Sequence, residues 1–369
     1  LLSCMAVCIF GFTDYLGMDL LHFKVRLKAE HIGMFTSFIG NINMYTGLLS
    51  VYLGAACLLW VSCPNKLRSI WYYVNVWVIF IALITGRSDN AYLSLAAAFT
   101  FIPIYAFRTR QGIRRYVVLL ATFLTSLKVI EWIATTYADR VYQIDSLYNS
   151  LVSFSKLVLL IKVLWIIAII LYLIDFISKK ADATVSPWFS RIWIGLIVIG
   201  FAAFLYVLYD VNIAGNADKY GSAKSFLLFN DNWGTHRGVI WRLAIEDYQD
   251  FTPIHKLFGY GPDTFGLVTY YHNMDIMTNV YHQIFDSAHN EYLQFFITVG
   301  PIGLLSYLAI FVTAFIRIIK KGCQNPYVIA AMFGVLCYSA QATVNIGTPI
   351  TIPIMFLFLS MALAGCREA

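Results

Sequence analysis

Residues 152–177 read VSFSKLVLLIKVLWIIAIILYLIDFI. A helix that crosses a bilayer needs about 20 mostly apolar residues, and this run meets that length with few charges. Comparable apolar runs occupy 1–13, 33–61, 70–85, 91–107, 116–135, 191–209, 289–317, 326–345 and 349–366. Together they predict an all-α polytopic integral membrane protein with about ten transmembrane helices, forming a single transmembrane domain over 1–369. Composition agrees. Of 369 residues, 60% are hydrophobic and only 12% charged, whereas a soluble domain carries about 25% charged residues. Lipid covers apolar faces and removes the need for that charge. The 17% aromatic share fits membrane interfaces, where Trp and Tyr collect.

Leu1 already lies inside an apolar run, with no Met and no basic stretch before it, so loss of N-terminal sequence is expected. No small-residue cleavage site follows 1–13, which argues against a signal peptide. Cys4, Cys8, Cys57, Cys63, Cys323, Cys337 and Cys366 fall in apolar runs or cation-rich loops without zinc-type spacing. No disulfide framework is expected.

Cations orient the chain. One set of alternate loops holds Lys66 and Arg68, then Arg108, Arg110, Arg114 and Arg115, then Lys179, Lys180 and Arg191, then Arg317, Lys320 and Lys321, and finally Arg367. By the positive-inside rule these loops are cytoplasmic. The opposite set holds most of the acids, including Asp14, Asp19, Asp89, Asp139 and Asp145, and all the histidines: His22, His31, His236, His255, His272, His282 and His289. Lys24, Arg26 and Lys28 break the trend on the outer side, where contact with anionic headgroups is the favoured reading and guidance of a lipid phosphate the other.

The connection 210–288 is expected to be an extracytoplasmic loop containing short helices, since structured connections of this length are usually functional. Thr235 is a candidate cap for a helix running to about Gln249 with Ile240, Leu243 and Ala244 on one face. Gly261-Pro262 places a proline at an expected helix start. Acids outnumber cations here, so a nucleic-acid role has no support. There is no Walker loop, dinucleotide fingerprint or His-Glu-x-x-His pattern, and the outer acids show no compact metal-ligand cluster.

The segment Asp286-Ser-Ala-His-Asn-Glu-Tyr-Leu-Gln294 carries the sharpest chemical signal. If Asp286 or Ser287 caps the next helix, His289 sits in its first turn beside free N–H groups and the positive helix end. That field keeps imidazole neutral and welcomes an anion; the plainer reading is a polar interface residue. Arg237 offers a planar fork for phosphate, or is a solvated loop arginine. Arg87, the one cation of the turn Gly86–Asn90, suits phosphate or an ordinary headgroup contact. Lys128 with Glu131, and Lys156 and Lys162, read as structural.

At these residues the chain resembles the O-antigen ligase and O-antigen polymerase superfamily of bacterial membrane glycosyltransferases. The resemblance rests on His289-Asn290-Glu291-Tyr-Leu293 before Gly300-Pro-Ile-Gly303, and upstream on Arg237, Trp241 and Gly259-Tyr-Gly261-Pro-Asp-Thr-Phe265. It also includes Gly40-Asn41-Ile-Asn43, and covers about residues 30–320. The family's Ser-Arg-Gly turn is altered here to Gly86-Arg87-Ser88-Asp89. The resemblance implies a GT-C-like helical fold in the bacterial cytoplasmic (inner) membrane, with its active site facing the periplasm or exterior. It implies metal-independent, inverting transfer of a glycan from a polyprenyl-pyrophosphate carrier to a lipid- or glycan-bound acceptor hydroxyl, without a cofactor. His289 would be the catalytic base, Arg237 and Arg87 would hold the pyrophosphate, and Asn290, Glu291, Gly259, Gly261, Asn41 and Asn43 would support them.

Ligase and polymerase differ only in the acceptor, and the motifs do not separate them. A transporter or flippase of lipid-linked substrate is the alternative from another class. It would place ionisable residues near the midplane, often in broken helices, whereas here they gather at one interface. A ligand sensor is a third reading, without an evident output domain.

Overall fold

The chain is 76% helical with almost no sheet in a computed structural model, which describes residues 1–144, 147–178, 183–321 and 325–368. Asp145, Lys179, Lys180, Cys323 and the side chain of Arg367 lie outside the described residues. Every apolar run expected to span is helical over most of its length. Among the described residues seven helices are long and apolar enough to cross a membrane: Ile42–Ser62, Lys66–Thr85, Arg110–Thr136, Leu157–Ser178, Trp188–Asn212, Gly300–Lys321 and Pro326–Val344. Leu2–Tyr15, Asn90–Ala106 and Ile352–Cys366 are shorter apolar helices.

Two compact units form. The first comprises Leu1–Trp193, Ala314–Gln341 and Thr348–Ala369. Its axis is the Ile42–Ser62 helix, 89% buried over its most apolar window and packed against the Lys66–Thr85, Asn90–Ala106 and Pro326–Gln341 helices. Asn65 and Thr109 cap the Lys66–Thr85 and Arg110–Thr136 helices through side-chain oxygens, satisfying orphan N–H groups. The expected span from residue 33 starts later. A two-stranded antiparallel ribbon, Phe35–Thr36 with Gly40–Asn41, precedes it, and Asn41 caps the helix by accepting from Asn43 N.

Small residues set the central crossing. A Cβ on Gly54 would lie 2.1 Å from the Phe333 carbonyl oxygen, and one on Gly334 would lie 2.6 Å from that of Val51. Glycines that let backbones approach this closely are how helices associate in lipid, where apolar burial gives little drive. Gly54→Val is therefore expected to cost at least ~1–3 kcal/mol, the range for overpacking. Thermal unfolding in detergent should show a lowered midpoint, and an unchanged midpoint would contradict this crossing.

Charged side chains inside this unit are paired. Arg114 bridges Asp175, Lys128 pairs with Glu131 as its spacing suggests, and Arg115 donates to the Trp60 and Cys63 carbonyls at 2.6 Å. The Trp188–Asn212 helix, which belongs to the second unit from Ile194 on, has none of its most apolar window buried. Its large side chains are apolar all round, as lipid contact requires.

The second unit, Ile194–Thr313 with Ala342–Gly347, has its own core of Val239, Ile240, Leu243, Ala244, Phe265 and Phe285 with neighbours. The face expected on the loop helix, Ile240, Leu243 and Ala244, is indeed its buried face. Its helices include Trp233–Asp250, Pro253–Phe258, Phe265–Asp275 and Glu291–Thr298. Gly261-Pro262 does not start a helix. Gly261 adopts φ +113 in a turn, and the helix-starting proline is Pro253, behind the cap Thr252.

Candidate functional site

In the second unit, His289 sits at the end of a short strap that three side chains hold. Thr269 Oγ1 donates to the Phe285 carbonyl at 3.0 Å. Trp241 Nε1 donates to the Ala288 carbonyl at 2.8 Å. The Ala288 N–H in turn donates to Gln294 Oε1 at 2.8 Å. The two peptide groups flanking Ala288 are thus each pinned immediately before His289, whose backbone takes the left-handed value φ +46. Such a conformation is uncommon outside glycine and is held only by surrounding contacts.

The cap differs from expectation. Asn290, rather than Asp286 or Ser287, caps the Glu291–Thr298 helix, its Oδ1 accepting from Tyr292 N and Leu293 N at 3.0 Å. His289 therefore precedes the cap instead of occupying the first turn. It still lies at the positive end of that helix. Glu291 is buried and accepts from the Tyr307 hydroxyl, so it ties the short helix to the Gly300–Lys321 helix and stands as a structural anchor.

Arg237 is half-buried at the start of the regular part of its helix. Thr235 does not cap it. Gly234, Thr235 and His236 all have positive φ, forming a left-handed turn, and Arg237 Cδ would lie 3.3 Å from a Cβ on Gly234. The glycine leaves room for the arginine stem to fold back over the turn. His236 packs edge-on to Tyr281, ring centroids 5.2 Å apart.

The two expected reactive residues share an electrostatic environment. Burial first, then the positive charge of Arg237, lowers the pKa of His289 below its ordinary value, while Asp286 opposes the shift. The imidazole is consequently neutral near pH 7. Its Nδ1 is buried without a hydrogen-bond partner, which leaves Nε2 as the nitrogen for a ligand.

The expected span 289–317 is broken. The Glu291–Thr298 helix ends at Val299, and Gly300, at φ +70, starts the Gly300–Lys321 helix. The break is built by the Gly-x-Gly segment. A Cβ on Gly259 would fall 2.2 Å from the Thr298 carbonyl oxygen, and one on Gly300 would fall 2.1 Å from that of Leu257. Gly261 N donates to the Thr298 carbonyl at 2.8 Å. Gly259 and Gly261 thus fix where the short helix ends.

Arg87 belongs to the first unit and is described there. It too has positive φ, +55. Its guanidinium donates to the Gly33 carbonyl and lies over the Tyr142 ring, 4.6 Å from the centroid. Asn43 Oδ1 accepts from Ser88 Oγ at 2.6 Å, and Asn90 Oδ1 accepts from Thr46 Oγ1 at 2.6 Å. Asn43 therefore holds the turn that presents Arg87, while Asn41 caps the helix on which Asn43 sits. Lys24 overturns its headgroup reading. It is buried, 3.3 Å from Asp14, with its ammonium over the same Tyr142 ring at 4.9 Å. Arg26 and Lys28 are exposed.

Sequence reasoning missed Thr269 and Gln294 as tethers, and it missed Tyr307. Asp247 was also missed. It is buried, which raises its pKa, although it accepts from Asn273 at 2.8 Å and faces His272 at 3.6 Å. Its spacing on the buried helix face was the available signal. Among the described residues no group of three or more His, Cys, Asp or Glu could hold a metal ion. Neither a protein-family profile nor a curated protein matches this chain.

Proposed function

We propose that the protein is a membrane glycosyltransferase of the O-antigen ligase or polymerase type. In this reading it has a GT-C-like fold of about ten transmembrane helices in the bacterial cytoplasmic membrane, with residues 210–288 outside. The observation that carries it is the pairing of a strapped, neutral His289 with the charge of Arg237 in one unit. Transfer from a polyprenyl-pyrophosphate carrier makes two demands. A base must accept the proton of the attacking hydroxyl, and fixed cations must meet the charge that develops on the departing pyrophosphate. His289 Nε2 answers the first demand. Arg237 answers the second.

The step balances without a cofactor. The acceptor oxygen forms a bond to the anomeric carbon as its proton passes to His289. The carbon–oxygen bond to the pyrophosphate breaks, and its electron pair leaves with the phosphate oxygen. Attack opposite the leaving group inverts the anomeric configuration. Acceptor choice separates ligase from polymerase, and both readings share this chemistry.

The test is incubation of purified protein with carrier-linked oligosaccharide and candidate acceptors, followed by mass measurement. An acceptor should gain the glycan, and the gain should persist in excess chelator, because arginines carry the charge stabilisation. Loss on chelation with rescue by a divalent ion would refute the arginine clamp. The broken helix at Val299–Gly300 is a feature that favours a transporter. In that case the donor would move across a vesicle membrane and no acceptor would gain mass.

A further inference from the structure

The Pro253–Phe258 helix carries Ile254, Leu257 and Phe258 on one face, at i, i+3 and i+4, and all three are exposed, Phe258 by 56%. This face does not point into the second core, whose nearest member is Phe251. Its place in the unit is tightly fixed. The Leu257 carbonyl sits where a Gly300 side chain would be, and Gly259 lies equally close against Thr298. The helix therefore abuts the first residues of the Gly300–Lys321 helix, whose opening turns expose Ile302 and Leu305, the latter by 66%. The two exposed apolar surfaces adjoin at one backbone contact.

We infer that the Pro253–Phe258 helix lies in the membrane–water interface beside the start of the Gly300–Lys321 span, with a lipid bilayer as the partner of its apolar face. The span must present Ile302 and Leu305 to acyl chains if it crosses the bilayer, and the abutting helix then sits at the depth where those chains meet headgroups. Its side chains suit that depth. Tyr260 stacks on His255 at 3.9 Å between ring centroids, and amphipathic rings favour the headgroup level. Lys256, half-buried between them in the chain, has a stem long enough to bring its ammonium to lipid phosphates. A short amphipathic element of this kind binds by its buried apolar area plus attraction to anionic lipid.

The inference rests on the span reading and not on the enzymatic one. A genetically encoded fluorescent amino acid is placed singly at positions 254, 258, 305 and 218 of the full chain, in nanodiscs whose lipids carry brominated acyl chains. Position 218 is the aqueous reference, since the Asp218 side chain is 94% exposed. Emission at 254 and 258 should be quenched to within about twofold of that at 305, as interfacial burial demands, with none at 218. Quenching at 305 while 254 and 258 behave like 218 overturns the interfacial helix and leaves the span intact, pointing instead to a protein or aqueous neighbour for this face. Absence of quenching at 305 overturns the span itself, and the inference with it. Two reporter positions on the helix keep the test valid if one substitution fails to fold.

Discussion

Arg237→Ala is expected to lose nearly all glycan transfer while the protein still reaches the membrane. Removing one fixed donor from a developing anion typically costs ~10²–10³-fold in rate. Arg237→Lys keeps a point charge but loses the planar fork, and should recover only part of the loss. A second readout separates this role from a structural one. Because Arg237 lowers the pKa of His289, its removal should raise that pKa, and an NMR titration of labelled histidine would show the shift. Wild-type transfer by Arg237→Ala, with no movement of the His289 resonance, would remove Arg237 from the site.

His289→Ala should retain carrier-linked donor and lose transfer by ~10²–10⁴-fold, the usual value of a general base. The pH profile carries a sign. Protonation at low pH removes the base, so the rate falls as pH drops through the pKa of His289. That pKa is lowered, chiefly by burial and further by Arg237. The acid limb of the wild-type profile should therefore lie below the ordinary imidazole range, and in Arg237→Lys it should stay there because the charge persists. A profile in which the rate falls at ordinary histidine pH would assign the titration to another group.

Much of the helical framework could be read directly. The run 152–177 appears as the Leu157–Ser178 helix, and the spacing of Ile240, Leu243 and Ala244 marks the buried face of the Trp233–Asp250 helix. Local patterns suffice where a helix is apolar throughout or has one apolar face. They failed where a distant backbone decides. The run 289–317 is continuous in hydropathy, yet Gly300 breaks it because the Leu257 carbonyl occupies the space beside it. Pro301, in the first turn of the new helix, was the available start signal. Asp286, Ser287 and Asn290 all have capping side chains, and it is Asn290 whose oxygen accepts from the first N–H groups of the helix. Lys24 looked like a headgroup contact because Asp14 is remote from it in sequence and adjacent in space.

The candidate site shows the same division. His289, Arg237 and Arg87 are noticeable as residue types in a motif. Their surroundings are not, because Asn41 acts as a helix cap, Asn43 by accepting from Ser88, Gly259 by allowing a close backbone approach and Gly261 by donating to the Thr298 carbonyl. The left-handed turn Gly234-Thr235-His236 has only its glycine as a sequence signal.

The central claim is that His289 takes the proton of an acceptor hydroxyl as a carrier pyrophosphate leaves. The most direct measurement is single-turnover release of polyprenyl pyrophosphate from carrier-linked glycan by purified wild type and His289→Gln at equal donor occupancy. Wild type should release it only when an acceptor is present, and the variant should bind the donor equally but release it at least ~10²-fold more slowly. Release by His289→Gln at more than about half the wild-type rate, far short of what losing a general base costs, would contradict the account.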